Sequence, residues 1–202
     1  PLLDALADQV IAMLSSSQQF DARQLASTAW AYAKLSRSHW PLMAAISQES
    51  LVVLCSSEQQ QQQQLFRPQN ISNLAWACAR LQWRDRPLID ALAPQAVLQI
   101  SEFAAQNLSN IAWAFAKLLV CHTPLLDAIA RPSMGILPLF DRQGLANTAW
   151  AIAALEYVNL PLLDALAEAA IHNMTATLPQ HVSNLAWACA RLVFCSMPLL
   201  DA

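Results

Sequence analysis

The stretch Gln106-Asn-Leu-Ser-Asn-Ile-Ala-Trp-Ala-Phe-Ala-Lys-Leu118 decides the fold, because close copies of it return along the whole chain. Its tryptophan recurs in an Ala-Trp-Ala context, and the last four copies are 37 residues apart: Trp30, Trp76, Trp113, Trp150 and Trp187. A proline followed by leucine recurs with the same spacing: Pro41, Pro87, Pro124, Pro161 and Pro198. A fixed period of about 20–50 residues is typical of solenoids, in which each repeat is one small supersecondary unit.

Each repeat contains two helical patterns. In the first, an apolar face recurs at about 100° per residue and is formed by Leu108, Ile111, Phe115 and Leu118. Ser109, Ala112 and Ala116 form a small-residue edge that permits close packing against a neighbouring helix. We expect the core to contain both apolar side chains and tryptophans, all largely buried: Leu74, Ile111, Phe115, Leu185, Trp113 and Trp150.

The second pattern begins with proline after a capping-type residue, which is a helix start signal. Its clearest copy runs from Pro161 to Ile171, whereas Pro94 and Pro132 fall inside the equivalent helices and are expected to kink or shorten them. The two patterns predict an all-α chain, an α-solenoid of helix-turn-helix repeats with a 37-residue period that stack into a right-handed superhelix.

The domain prediction is a single array over residues 1–202, with about five repeats. Because the motif Pro-Leu-Leu-Asp-Ala both opens and closes the chain, we expect the array to be part of a longer repeat protein. Two insertions fall between the proline helix and the next tryptophan helix, one near residues 15–17 and one in the glutamine run near 57–65. The glutamine run is expected to be a solvated loop.

Composition excludes several classes of protein. Hydrophobic residues make up 56% and charged residues 12% of the chain, which is the opposite of a disordered sequence. With only two glycines, glycine-rich phosphate loops and turn-rich β-sandwiches are disfavoured. The net charge of −3 argues against a broad nucleic-acid footprint but allows a narrow basic stripe. No apolar run approaches the ~20 residues of a membrane span.

A polar stripe is the candidate functional feature. Gln106, Asn110, Trp113 and Lys117 fall within about 60° of arc on the tryptophan helix, and most copies keep the amide and cationic residues there. The residue after the glutamine varies between copies: Gln24, Asn70, Asn107, Gly144 and His181. The candidate ligand-contacting residues are Lys34, Gln69, Asn70, Asn73, Arg80, Gln106, Asn107, Asn110, Lys117, Gln143, Asn147, Gln180, His181, Asn184 and Arg191.

The segments Phe66-Arg-Pro-Gln-Asn-Ile-Ser-Asn-Leu-Ala-Trp-Ala-Cys-Ala-Arg-Leu81 and Phe103-Ala-Ala-Gln-Asn-Leu-Ser-Asn-Ile-Ala-Trp-Ala-Phe-Ala-Lys-Leu118 resemble the octotricopeptide repeat and the 37-residue heptatricopeptide repeat. They are also similar to the helical repeats of the RNA-editing substrate-binding complex. The resemblance implies a protein of a mitochondrion or chloroplast that binds single-stranded RNA. It implies a role in RNA processing, stability, editing or translation, together with other proteins of an RNA-processing complex. Two copies depart from the pattern, one at Ala154 and one at Arg23 and Ser27.

Each element of the stripe has a structural alternative. The tryptophans either pack between repeats or stack on bases, the asparagines either bridge repeats or bond RNA, and the cations are either solvated or hold phosphates. The variable position is either a base reader or an unconstrained surface site. At the level of the whole chain, the alternative is a protein-interaction scaffold of the armadillo, HEAT or TPR type.

An enzyme is not expected, and neither is a cofactor or a bound metal. The four histidines, His39, His122, His172 and His181, show no metal-type spacing to cysteine or carboxylate side chains. The five cysteines contain no Cys-x-x-Cys pair and are expected to be buried free thiols.

Overall fold

A computed structural model describes residues 1–16, 20–55, 66–173 and 178–192. Four features of the sequence analysis lie outside these residues: the last residue of the first insertion, the glutamine run, Cys195 and the closing Pro-Leu-Leu-Asp-Ala motif. The chain divides into two compact units, Pro1–Leu98 and Gln99–Ala202.

The described residues form ten α-helices and two short 3₁₀ helices, joined by turns, and contain no β-strand. The all-α prediction is therefore confirmed. The first unit contains α1 (Leu2–Ser15), α2 (Ala22–Lys34), α3 (Trp40–Cys55), α4 (Pro68–Leu81) and α5 (Arg86–Leu98). The second unit contains α6 (Ala105–Lys117), α7 (Thr123–Ile136), α8 (Arg142–Ala154), α9 (Leu160–His172) and α10 (Pro179–Arg191).

Within each unit the helices form two layers. In the first unit α2 packs against α4, while α3 packs against α1 and α5 in the other layer. In the second unit α8 packs between α6 and α10, and α7 packs against α9. Each tryptophan helix also contacts the proline helix that follows it, as α6 contacts α7. The predicted helix-turn-helix unit is therefore present in both halves of the chain.

The apolar periodicity of the tryptophan helix explains this layering. Leu108, Ile111 and Phe115 are fully buried between the layers. The small-residue edge is buried as well, since Ala112 and Ala116 have almost no exposed surface. Small side chains at this edge let the backbones of neighbouring helices approach closely, which accounts for the dense contact of α6 with α8.

The tryptophan helices end in a left-handed residue that is not glycine. Four described residues have this backbone, with φ between 52° and 60°: Ser36, Gln82, Leu119 and Glu156. The next backbone N–H then donates to a carbonyl one turn back, as Trp83 N–H does to the Cys78 oxygen at 2.8 Å. This is the hydrogen bond of a Schellman motif. The helices thus end at a set position although the chain has only two glycines.

The proline helices begin at a side-chain cap two residues before the proline. The Nδ1 atoms of His39 and His122 accept the backbone N–H groups of Leu42 and Leu125 at 3.2 and 3.1 Å. The carboxylate of Asp85 and the amide oxygen of Asn159 make the equivalent bonds at 3.1 Å. Two of the four histidines therefore have a structural role that the sequence analysis missed.

The expectation that Pro94 and Pro132 shorten their helices is wrong. Helices α5 and α7 continue through these prolines for 13 and 14 residues, and α9, which has no internal proline, has 13. A kink at either proline stays a prediction. Buried apolar residues, among them Ala93 and Ala96 around Pro94 and Ile129 and Ala130 before Pro132, stabilise each helix against the lost hydrogen bond.

The cysteines also differ from the expectation of buried thiols. Cys78 is fully buried, and this burial raises the pKa of its thiol to about 12. Cys55 and Cys121, however, are exposed free thiols, because they lie at a helix end and in a loop and outside the core.

Truncation of the buried aromatic ring on α6 is predicted to be costly. Phe115→Ala should lower the free energy of unfolding by about 3–5 kcal/mol, because the ring is only 1% exposed and its loss leaves a cavity. Leu119→Ala, in the exposed turn after the same helix, should change it by less than about 0.5 kcal/mol. Urea unfolding followed by circular dichroism measures both, and equal losses would contradict the assigned core.

Thiol labelling tests the burial of Cys78. At pH 8 iodoacetamide should alkylate Cys55 and Cys121 in the folded protein and leave Cys78 unmodified, because its thiol is buried and protonated. Peptide mass spectrometry reads out each site, and denaturant should expose Cys78. Alkylation of Cys78 as fast as Cys121 under native conditions would show that α4 is packed differently.

Candidate nucleic-acid interface

The predicted stripe residues share a pattern of exposure on four tryptophan helices. The glutamines near the helix start are exposed: Gln69, Gln106, Gln143 and Gln180. The asparagines one turn later are half-buried: Asn73, Asn110, Asn147 and Asn184. The cations in the last turn are exposed, and α2 supplies one more: Lys34, Arg80, Lys117 and Arg191. Each unit therefore presents amides and cations along the tryptophan layer.

The tryptophans of neighbouring helices meet in pairs. The ring centroids of Trp30 and Trp76 are 6.4 Å apart with the planes tilted by 36°, and those of Trp150 and Trp187 are 6.2 Å apart with a tilt of 30°. Offset and tilted rings at this distance attract one another. The tryptophan side chain is thus part of the contact between repeats.

These rings are nevertheless not core residues. Trp113 and Trp150 are half-buried, so each keeps part of its surface accessible, whereas Leu74, Ile111 and Phe115 are fully buried. Trp187, on the outermost tryptophan helix of the second unit, is 43% exposed. The rings fill the groove between adjacent helices and keep an edge at the surface. The structure therefore combines inter-repeat packing with a surface on which a base could stack.

Two of the cations, Arg80 and Arg191, contact the left-handed residue that ends the preceding tryptophan helix. Arg80 Nη2 donates to Ser36 Oγ at 3.3 Å, and Arg191 forms an ion pair with Glu156. In the copy with Ala154 the corresponding left-handed residue is Leu119, which offers no acceptor. The missing cation and the missing acceptor therefore coincide. Because both observed contacts are exposed, each contributes only about 0–1 kcal/mol and can exchange for a phosphate.

The variable position proves to be the third residue of the tryptophan helix, where its side chain caps the helix. Arg67 N–H donates to Asn70 Oδ1 at 3.1 Å, and Ala104 N–H donates to Asn107 Oδ1 at 3.1 Å. Gln24 accepts from Asp21 N–H at 2.9 Å in the first copy. An amide at this position satisfies a backbone donor that the helix leaves unpaired.

The remaining two copies have no amide at this position. In α8 the variable residue is Gly144, and the cap comes from Asp141 Oδ1, which accepts Gly144 N–H at 2.6 Å. A Cβ at Gly144 would lie 3.0 Å from that oxygen. Gly144 also lines a cleft of about 190 Å³, together with Gln106 and Ser109. In α10 the Nδ1 atom of His181 is buried without a partner among the described residues. The residue at this position therefore varies with the way in which the helix start is capped. A role in base reading stays a prediction.

Two tryptophans outside the repeat drew no functional prediction from the sequence. Trp40 and Trp83 stack with their ring centroids 5.7 Å apart and their planes inclined by 23°. The signal that could have found them is their position, since each lies in the same short connection as arginine residues.

Other kinds of site find no support in the part of the chain that the structure describes. It holds no cluster of three or more histidine, cysteine or acidic side chains placed to bind a metal ion. None of its helices combines the length and hydrophobicity that crossing a bilayer requires.

A comparison with known protein families gives a match. A family model described as the RNA-editing substrate-binding complex 6 protein matches residues 66–198, about two thirds of the chain, from the start of α4 past the end of α10. No curated protein matches the chain. The match confirms the similarity to proteins of the RNA-editing substrate-binding complex. The octotricopeptide or heptatricopeptide character of the repeats stays a prediction.

Substitution of the capping amides separates their two possible roles. Asn107→Ala and Asn70→Ala should each lower stability by about 1 kcal/mol, because the N-terminal backbone donor loses its acceptor. Gln106→Ala, at the neighbouring exposed residue, should leave the unfolding midpoint unchanged. Unchanged stability in both asparagine variants, with altered RNA preference, would make this position a reader and not a cap.

Proposed function

The chain belongs to the RNA-editing substrate-binding complex 6 protein family, and from this premise we propose that it is a sequence-selective single-stranded RNA-binding protein. The proposed role is in organellar RNA processing, stability, editing or translation, with RNA and proteins of an RNA-processing complex as partners. The family match is the observation that carries the proposal. We propose the mitochondrion as the organelle, since the match adds no support for a chloroplast.

The exposed face of the tryptophan layer supports this function chemically. Exposed cations such as Lys117 offer point charges to phosphates, and exposed amides such as Gln106 offer both donors and acceptors to bases and riboses. The partly exposed tryptophans add π-faces on which any base can stack. This combination of groups is typical of single-strand binding, in which stacking and phosphate contacts dominate.

Charge sets the strength of the proposed binding. Each lysine or arginine that holds a phosphate of a single strand contributes about −0.7 to the slope of log affinity against log salt. Contacts by Arg80, Lys117 and Arg191 then give a slope of only about −2. Because so few cations take part, the chain binds weakly at physiological salt, and affinity grows with the number of repeats.

Two further parts of the proposal come from the sequence. The 37-residue spacing supports the α-solenoid of the sequence analysis, in which equivalent positions recur along one surface. The proposal assigns the chain a binding role and no catalytic one, and it requires no cofactor.

A protein-interaction scaffold is the second candidate function, and two observations favour it. Arg191 is paired with Glu156, which neutralises one of the cations of the stripe. The chain as a whole carries a net charge of −3, so its long-range field does not attract RNA. A scaffold would use the same tryptophan face for an apolar partner and would show no dependence on the cations.

Removal of the three cations tests the proposal. A variant with Arg80, Lys117 and Arg191 all changed to Ala should bind every single-stranded RNA more weakly and show a salt slope reduced by about 2. Fluorescence anisotropy with labelled oligonucleotides at several salt concentrations measures both quantities.

Matched controls separate a local contact from net charge. Lys117→Ala and Arg131→Ala remove the same charge from exposed positions on the tryptophan helix α6 and the proline helix α7, and only the first should change RNA binding. Glu156→Gln releases Arg191 from its ion pair and should tighten binding by about twofold at low salt. RNA affinity that is unchanged by the triple substitution across salt would favour the scaffold.

A further inference from the structure

Positive charge is concentrated at one edge of the first unit. Of the eleven lysines and arginines in the chain, five lie in residues 34–40 and 80–86, and all five are exposed: Lys34, Arg37, Arg80, Arg84 and Arg86. The one acidic residue in these segments, Asp85, already accepts two hydrogen bonds within the protein. It accepts Leu88 N–H at 3.1 Å and the Ser47 hydroxyl at 2.5 Å. A chain with a net charge of −3 therefore has a locally basic edge.

The two segments form one surface. They are the turn from α2 to α3 and the turn from α4 to α5, and α2 packs on α4 as α3 packs on α5. Trp40 in the first turn stacks on Trp83 in the second, with centroids 5.7 Å apart. Arg80 reaches across to Ser36 and so joins this edge to the cations of the stripe.

The repeat itself does not require these two tryptophans. In the second unit the positions equivalent to Trp40 carry Thr123 and Leu160, and those equivalent to Trp83 carry Val120 and Tyr157. Neither pair supplies a cation or a second indole, and the second unit forms the same layers without them. Trp40 nevertheless leaves 48% of its surface exposed in the first unit.

The charged groups around the stack are available to a ligand. Arg84 has neither an ion pair nor a hydrogen bond within the described part of the chain. Arg37 pairs with Asp4 at 2.9 Å and Arg86 with Asp90 at 2.8 Å, but these exposed pairs contribute little to stability and exchange readily. An exposed indole beside arginines is suited to stack an unpaired base and hold its phosphate.

We propose that this tryptophan–arginine edge, formed by Arg37, Trp40, Trp83, Arg84 and Arg86, binds an unpaired nucleotide of single-stranded RNA. The exposed face of Trp40 stacks the base, and Arg84 binds the adjoining phosphate. The inference rests on the proposed function and extends it by a second contact, which Arg80 connects to the stripe. An acidic peptide would also meet the arginines, but it would have no use for the exposed indole face.

The test measures the affinity of the whole chain for a fluorescein-labelled oligouridylate by anisotropy. Trp40→Leu should weaken binding by about tenfold through the lost stack, and Trp40→Phe should restore most of it. Arg84→Ala should weaken binding by about threefold and reduce the salt slope by about 0.7. Leu160→Ala, at the position equivalent to Trp40, and Arg131→Ala, which removes the same charge, should bind like the parent chain. Unchanged circular dichroism and thermal midpoints show that each variant is folded.

The outcomes distinguish this inference from the proposed function. If Trp40→Leu and Arg84→Ala bind like the parent chain while loss of the stripe cations weakens binding, the edge is not an RNA contact and the RNA-binding function stands. If they lose affinity for an oligoglutamate peptide but keep it for oligouridylate, the edge is a protein-binding surface and the inference is overturned. If the parent chain binds no single-stranded RNA, both proposals fail.

Discussion

Close packing of neighbouring tryptophan helices through small side chains is the constraint on which the rest of the structure depends. Ala112, Ala116 and Ala153 are buried where these helices meet, and a Cβ at Gly144 would lie 3.4 Å from the Ser109 hydroxyl oxygen of the adjacent helix. At this separation the tryptophans of successive repeats touch, with centroids 6.2–6.4 Å apart in the two measured pairs. Equivalent polar residues are brought side by side by the same contact, so the arrangement of the candidate interface is a consequence of how the helices pack.

The polar residues on the exposed face of the tryptophan helices have a structural role of their own. Asn70 and Asn107 near the helix start accept backbone donors, and Arg80 and Arg191 contact the turns that end the preceding helices. A repeat would keep such residues even without RNA, because each satisfies a group that the helix leaves unpaired. Recurrence alone is therefore weak evidence for base recognition. The exposed residues without such a structural bond, such as Gln106 and Lys117, are the ones whose recurrence the fold does not explain.

The helices and their buried faces follow from the sequence, because a period of 3.6 residues and a proline start signal are local properties. Leu108, Ile111 and Phe115 could be placed in the core from their spacing alone. The capping role of Asn107 could not be predicted in this way. It depends on where the helix begins, which leaves the backbone N–H of Ala104 to be accepted by the Asn107 side chain. The stack of Trp40 on Trp83 joins residues 43 positions apart, and only the packing of two repeats brings them together. The contact of Trp150 with Trp187 depends on the packing of two repeats in the same way.

The central proposal is that single-stranded RNA binds the exposed face of the tryptophan helices in each unit. Photocrosslinking of the chain to an oligonucleotide containing 4-thiouridine, with identification of the crosslinked peptides by mass spectrometry, tests it most directly. The account predicts crosslinks in peptides from α4, α6, α8 and α10, at residues near Trp76, Trp113 and Trp187. Crosslinks confined to the proline helices α5, α7 and α9, or spread without preference over both layers, would contradict it.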